Sequence, residues 1–136
     1  MSENEITPAV EQFLAKQSNL ILATLRRDGV PQLSPVWYLL REGAFFISTD
    51  VKTAKWRNLV RDPRCSGLID APEGKYVYVS GVAELDDGDV HDITEELVRR
   101  YKTEEELGPY MGEIYRDTHR TIVRLVPERV VTLGFE

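Results

Sequence analysis

The residues of this chain best suited to chemistry lie together between Phe45 and Arg64. Phe45-Phe46-Ile47 is apolar and β-prone, Ser48 and Thr49 bring hydroxyls, and a helix-like segment starts near Thr53, a residue type that caps helix N-termini. A strand that ends in hydroxyls and feeds a helix start makes an anion site, because exposed amides, the positive end of the helix dipole and a nearby lysine converge there. Lys55 is that lysine. From Lys52 to Arg64 five basic residues (Lys52, Lys55, Arg57, Arg61 and Arg64) stand against one acid, Asp62, in a chain of net charge -6. The plain alternative is a short amphipathic helix with Ala54, Leu59 and Trp56 inward and its cations solvated.

Other chemistries find little purchase. The chain has no G-x-S-x-G nucleophile elbow, phosphate-binding P-loop, G-x-G-x-x-G fingerprint or paired-histidine motif, and two histidines (His91 and His119) with one cysteine make a thin ligand set. No metal site and no catalytic side chain is assigned. Chemistry carried by an organic cofactor suits such a chain, because it asks the protein mainly for position, electrostatics and exclusion of water.

The elements that must position these residues follow from pattern. Thr7-Pro8 opens a helical segment over about residues 7–17, with Val10, Phe13 and Leu14 as its buried stripe. Leu20 to Arg26, a turn at Asp28-Gly29, and Val30 to Leu40 read as a β-hairpin, and Arg41-Glu42-Gly43 turns the chain into a third strand, Ala44 to Thr49. Beyond the short helix, which Asp62-Pro63 stops, Cys65 to Ile69 and Lys75 to Leu85 are strands, the latter with Gly81 at an expected bulge. A helix near Asp89 to Lys102, a capping box at Thr103 and Glu106, and two strands, Thr121 to Val126 and Val130 to Leu133, complete the chain. Many short strands with few helices predict a mainly β (α+β) fold, an antiparallel barrel rather than a doubly wound sheet.

At 136 residues the chain suits one domain, 1–136, able to bury ~65–70% of its unfolded surface. A lone Cys65 and the lack of a basic start followed by an apolar run give secretion no support, so the expectation is a cytoplasmic protein. No apolar stretch approaches the ~20 residues that cross a bilayer, and the acidic balance argues against nucleic-acid binding.

The succession Phe46-Ile47-Ser48-Thr49-Asp50, Thr53-Ala54-Lys55, Asn58-Leu59 and Arg61-Asp62-Pro63 resembles the phosphate-binding segment of the pyridoxamine 5'-phosphate oxidase-like split-barrel flavoproteins. Upstream, Leu22-Ala23-Thr24-Leu25, Asp28-Gly29 and Pro31 to Tyr38 are similar to the branch that uses the deazaflavin coenzyme F420, and the likeness runs from about Asn19 to Leu133. It implies an antiparallel split β-barrel of the FMN-binding type, six or seven strands, that pairs as a homodimer with cofactor sites at the interface. By the same resemblance Lys55 holds the cofactor phosphate, Ser48, Thr49 and Thr53 supply hydroxyls, and Gln32, Leu33, Ser34, Pro35 and Val36 back the ring.

The chain also departs from the oxidases. Ala54 stands where they carry an arginine, which leaves Lys52 or Arg57 to supply a second charge, and the second strand lacks their phosphate-binding arginine. Trp37, Tyr76 and Tyr78 are candidate ring or substrate contacts, as is Trp56, although such aromatics serve cores and interfaces equally well. His119 and Arg120 stand where they would reach a neighbouring subunit's cofactor or simply lie at the surface, and the histidine spacing does not recommend haem. The expected function is hydride transfer from reduced coenzyme F420 to an unsaturated small molecule; an FMN-dependent oxidoreductase and a non-catalytic flavin- or deazaflavin-binding protein are the alternatives.

Overall fold

The computed structural model describes residues 5–135. Along them run α1 (Pro8–Lys16), β1 (Leu20–Leu25), β2 (Pro31–Val36), β3 (Leu39–Arg41), β4 (Ala44–Asp50) and α2 (Ala54–Arg61). Then follow β5 (Arg64–Asp70), β6 (Tyr76–Asp86), α3 (His91–Val98), α4 (Glu104–Arg116) and β7 (Arg120–Leu133). The seven strands form one antiparallel sheet in the order β2-β1-β5-β6-β7-β4-β3. β2 and β3 are the two edges, yet only Trp37 and Tyr38 separate them in sequence. So short a connection reaches about 10 Å, which forces the sheet to curl until its edges meet, as its intrinsic twist favours. The result is a half-barrel with an open seam.

The seam corrects the expected single strand from Val30 to Leu40. The chain leaves β1 at Val36 and joins β4 at Leu39, because side chains rather than a strand satisfy the backbone between. The Tyr38 amide donates to the Tyr101 hydroxyl at 3.0 Å, and the Tyr38 carbonyl accepts from Arg100. Arg100 also donates to the carbonyls of Ala15 and Gln17 at the end of α1, at 3.3 and 3.0 Å. Within β2, Pro31 and Pro35 are tolerated because the strand is an edge and these positions turn their backbone away from β1.

At the other end, the two expected final strands are one. β7 runs through Pro127-Glu128 by means of a bulge, the register slipping from Ser80↔Arg129 to Gly81↔Pro127. Gly81 is required there, since a Cβ would stand 2.6 Å from the Val126 carbonyl oxygen. The helix expected over Asp89 to Lys102 is confined to His91–Val98, and α4 continues past Gly108-Pro109 to Arg116 from a complete Thr103/Glu106 capping box.

The core inside the curl holds Leu20, Leu22, Phe45, Ile47, Val77 and Val123, closed at one end by Val10, Phe13 and Leu14 of α1. Each such buried side chain is worth about 1.5–3 kcal/mol, which lets the fold keep a seam without ladder hydrogen bonds. α2 docks on the same core through Trp56 and Leu59, whereas α3 and α4 meet in a separate cluster of Val98, Leu107 and Met111. Among the described residues no helix is long and apolar enough to cross a membrane.

Candidate functional site

Alternation along β4 sorts its hydroxyls. Thr49 points into the barrel, 3% exposed, while Ser48 and Asp50 face outward. Thr53 caps α2: its Oγ1 accepts from the Trp56 amide at 3.3 Å and donates to the Asp50 carbonyl at 2.9 Å, leaving it to accept from Thr49 at 3.0 Å. Both threonine hydroxyls are thereby engaged in bringing β4 into α2. Lys55 follows in the first turn.

Ser48, Lys55, the end of β2 (Pro35 and Val36) and Trp37 just beyond it border one cleft of about 260 Å3. Its far wall comes from α3 and α4 through Leu97, Val98, Tyr110 and Ile114, and Arg120 at the start of β7 completes it. Arg120 pairs with Asp50 across the β4–β7 ladder, and its Nη2 reaches along the strand to donate to Ser48 Oγ at 2.8 Å. Its Nε is buried and lacks a hydrogen-bond partner among the described residues, as does the Tyr115 hydroxyl.

Electrostatics mark this end of the cleft. Burial pulls the Lys55 pKa down, and the Arg120 charge pulls it further. Burial likewise lowers Arg120, against the opposing influence of Asp50, Tyr110 and Tyr115. Among the described residues Lys55 has neither a hydrogen-bond nor an ion-pair partner for its ammonium. Two half-buried cations without carboxylates in contact are arranged for an anion that comes from outside the chain.

The remaining sequence-derived residues fall elsewhere. Gln32 accepts from Asn58 Nδ2 at 3.0 Å, and Asn58 also donates to Thr24, so this glutamine ties β2 to α2. Ser34 is half-buried opposite Leu22, and Leu33 is 65% exposed on the outer face. Arg57 donates to the Lys52 carbonyl at 2.7 Å, and neither residue borders the cleft. Tyr76 and Tyr78 stand on the outer face of β6, where Tyr78 edges a separate shallow depression beside Arg64 and Ser66. Trp37 is held at the cleft rim between Tyr101, stacked at 4.2 Å, and Tyr110 at 5.7 Å. Sequence reasoning named Arg120 only for a neighbouring subunit's cofactor or the surface, and it missed the α3–α4 wall; the signal that puts Arg120 beside Ser48 of its own chain is strand parity, which needs the β4–β7 register.

Neither histidine borders this cleft: His119 Nε2 contacts the Asp87 carbonyl at 2.8 Å, and His91 lies beside Asp92 on α3. Among the described residues no three His, Cys, Asp or Glu side chains are grouped to hold a metal.

Comparison with known proteins bears on the family and the fold. A family model described as pyridoxamine 5'-phosphate oxidase matches residues 6–134. A conserved hypothetical protein from Mycobacterium tuberculosis is 28% identical with a TM-score of 0.81, over 94% of this chain and 84% of that one. A structure described as an F420 reductase has a TM-score of 0.72 at 23% identity, over 89% and 94%. A heme binding protein from Mycobacterium smegmatis has a TM-score of 0.68 at 28% identity, over 88% of this chain and 50% of that one.

Proposed function

Because the chain belongs to the pyridoxamine 5'-phosphate oxidase family, we propose that it is a cytoplasmic oxidoreductase that moves a hydride from reduced deazaflavin coenzyme F420 to an unsaturated small-molecule acceptor. The observation that carries this reading is the single cleft in which Lys55 and Ser48 meet the end of β2. Lys55 holds the cofactor phosphate, with Ser48 as a hydroxyl donor, and the Pro35–Trp37 segment backs the ring. The buried Arg120 Nε, which has no hydrogen-bond partner among the described residues, fits a site meant for an anionic group. The cofactor supplies the hydride chemistry when bound. The protein orients it and excludes water with the apolar wall of Leu97, Val98 and Ile114.

Thr49 and Thr53 act on the ligand through the shape of the β4–α2 turn, and Gln32 through its tie to Asn58. Preference for the deazaflavin rests on charge beyond one phosphate. Arg64 is paired with Asp62, and Arg61 is occupied with the Leu25 carbonyl and Asn58. Lys52, beside the start of α2, is therefore the first cation for a polyanionic tail, with Arg57, whose Nη1 donates to the Lys52 carbonyl, next to it. FMN is the second candidate, and a binding protein without turnover the third.

Pairing into a homodimer is part of the same reading. Across the outer face one row of neighbours, Pro35, Ile21, Leu68, Tyr78 and Val131, crosses five strands and meets the cleft at Pro35. Leu33 and Leu68 stand on this face 65% and 38% exposed, an apolar surface suited to an identical copy. Titration of coenzyme F420 and FMN under matched salt tests the reading. Tighter binding of FMN reverses the ranking, and binding of the reduced cofactor without turnover of any activated alkene points to the binding protein.

A further inference from the structure

Arg120 is the charged group in the cleft whose role the resemblance left open between a neighbouring subunit's cofactor and the surface. It approaches from β7, opposite Lys55 on α2, and its hydrogen bond to Ser48 fixes where its guanidinium lies. The groups that face it are Lys55 from α2, Asp50 from β4, and Tyr110 and Tyr115 from α4. Asp50 is the acid in this set, but its Oδ1 accepts from the backbone amides of Lys52 and His119, at 3.4 and 3.3 Å. It is not within ion-pair distance of Arg120 among the described residues. Two cations held side by side with their one acidic neighbour turned to other donors repel each other, and a ligand of a single negative charge relieves only part of that cost.

We propose that Arg120, positioned by Ser48 and set against Lys55, makes the anion end of the cleft selective for a dianion: a phosphate monoester, or a phosphate with a carboxylate close beside it. This rests on the cofactor reading and bears on its ranking: the phosphate monoester of FMN meets the requirement directly, and a deazaflavin phosphodiester meets it only with a carboxylate of its tail beside the phosphate. A phosphodiester without such a carboxylate brings one charge, leaves Arg120 unpaired and binds less well. Lys55 attracts either kind of phosphate, and Arg120 adds the second charge that tells them apart. An arginine suits that task because its planar fork can hold Ser48 through one nitrogen and keep other donors for the ligand.

The test uses the full chain and two small probes, methyl phosphate and dimethyl phosphate, titrated separately by phosphorus NMR at constant ionic strength. At pH 8 methyl phosphate is a dianion and should bind about tenfold more tightly than dimethyl phosphate, the weight of one further charge-assisted contact. That preference should fade as pH falls below about 6, where the second phosphate proton is taken up. Arg120→Gln should bring the two affinities together, Arg120→Lys should retain part of the preference, and Lys55→Ala should weaken both probes and narrow their ratio, since the preference needs both cations. Equal affinities in the wild-type protein overturn the proposal, as does an Arg120→Gln variant that keeps the full preference. If Arg120→Gln does not fold, Ser48→Ala, which frees the guanidinium, should reduce the preference, and an unchanged ratio there is equally decisive. Failure of both coenzyme F420 and FMN to bind a protein that still prefers methyl phosphate would remove the cofactor reading and leave the dianion site standing.

Discussion

The ring of Tyr101 lies flat against that of Trp37, with centroids 4.2 Å apart and 4° between the planes. Its hydroxyl meanwhile accepts from the Tyr38 amide at 3.0 Å and contacts the Ser18 carbonyl at 2.7 Å. One side chain thus seats the tryptophan at the cleft rim and satisfies the backbone of the β2–β3 crossing. Tyr101→Phe separates the two tasks. It keeps the stack but strips the Tyr38 amide of its acceptor, for an expected loss of about 1–3 kcal/mol in unfolding free energy. The near-ultraviolet circular dichroism of Trp37 should be retained. Denaturant melts give the first quantity and the spectrum the second; wild-type stability would show that the crossing does not depend on the hydroxyl.

Tyr38 makes the fold sensitive to alkali. Its hydroxyl donates to the Leu14 carbonyl at 2.5 Å, and burial pushes its pKa up to about 12 against the opposing effect of Arg100. The folded value lies above the ordinary 10.0, so the stability this group contributes is complete below pH 10 and is lost as pH rises toward 12. Tyr38→Phe should cost about 1 kcal/mol at neutral pH, and the gap from wild type should narrow across that window. Cys65, which burial raises to about 11, acts in the same direction in both proteins and cancels from the comparison. A gap that stays constant to pH 11.5, about one and a half units above the model phenol, would contradict this account.

On the proposed cofactor reading, Lys55→Ala removes a charge-assisted contact to the phosphate. The expected effect is a loss of roughly 1.5–3 kcal/mol of binding, about ten- to a hundredfold in affinity. Folding should be little affected, within about 0.5 kcal/mol, because the ammonium has no partner among the described residues. Isothermal titration of both proteins, with thermal melts as the control, supplies the comparison. Equal affinities would retire the phosphate role of this lysine.

The outer face offers a test of assembly that leaves the cleft alone. Leu68 lies in the middle of the apolar row, between Ile21 on β1 and Tyr78 on β6. Sedimentation velocity should find the wild-type chain as a dimer and Leu68→Glu as a folded monomer, since a charge buried in a face-to-face contact goes unpaired. A wild-type protein that sediments as a monomer at micromolar concentration removes the homodimer from the proposal.

Much of this was legible before any coordinates because its causes are local. Thr7, Thr53 and Thr103 each cap the helix that their neighbours suggest, and Gly81 marks the bulge, since both features depend on a few adjacent residues. The break at Trp37-Tyr38 is different. Pro35 to Leu40 is one apolar run with no turn signal in it, and what ends the strand is a set of donors and acceptors from Arg100 and Tyr101, more than 60 positions away. Pro127 reads as a strand end until the extra residue of a bulge absorbs it. The same division runs through the cleft. Lys55 announces itself by its place at a helix start, whereas Arg120 joins Ser48, 72 positions earlier, only through the pairing of β4 with β7.

The prolines of β2 reach beyond its own pairing. Residues 31, 33 and 35 turn their backbone outward from the edge of the sheet, and of these only Leu33 keeps an amide hydrogen. The opposite edge, β3, is three residues long. Neither rim can therefore template an added strand from another chain, so a Val- and Ile-rich sheet that is left unclosed is nonetheless guarded against amyloid-like stacking. Copies of this protein can meet through their side-chain faces, and their ladders end where the polypeptide ends them.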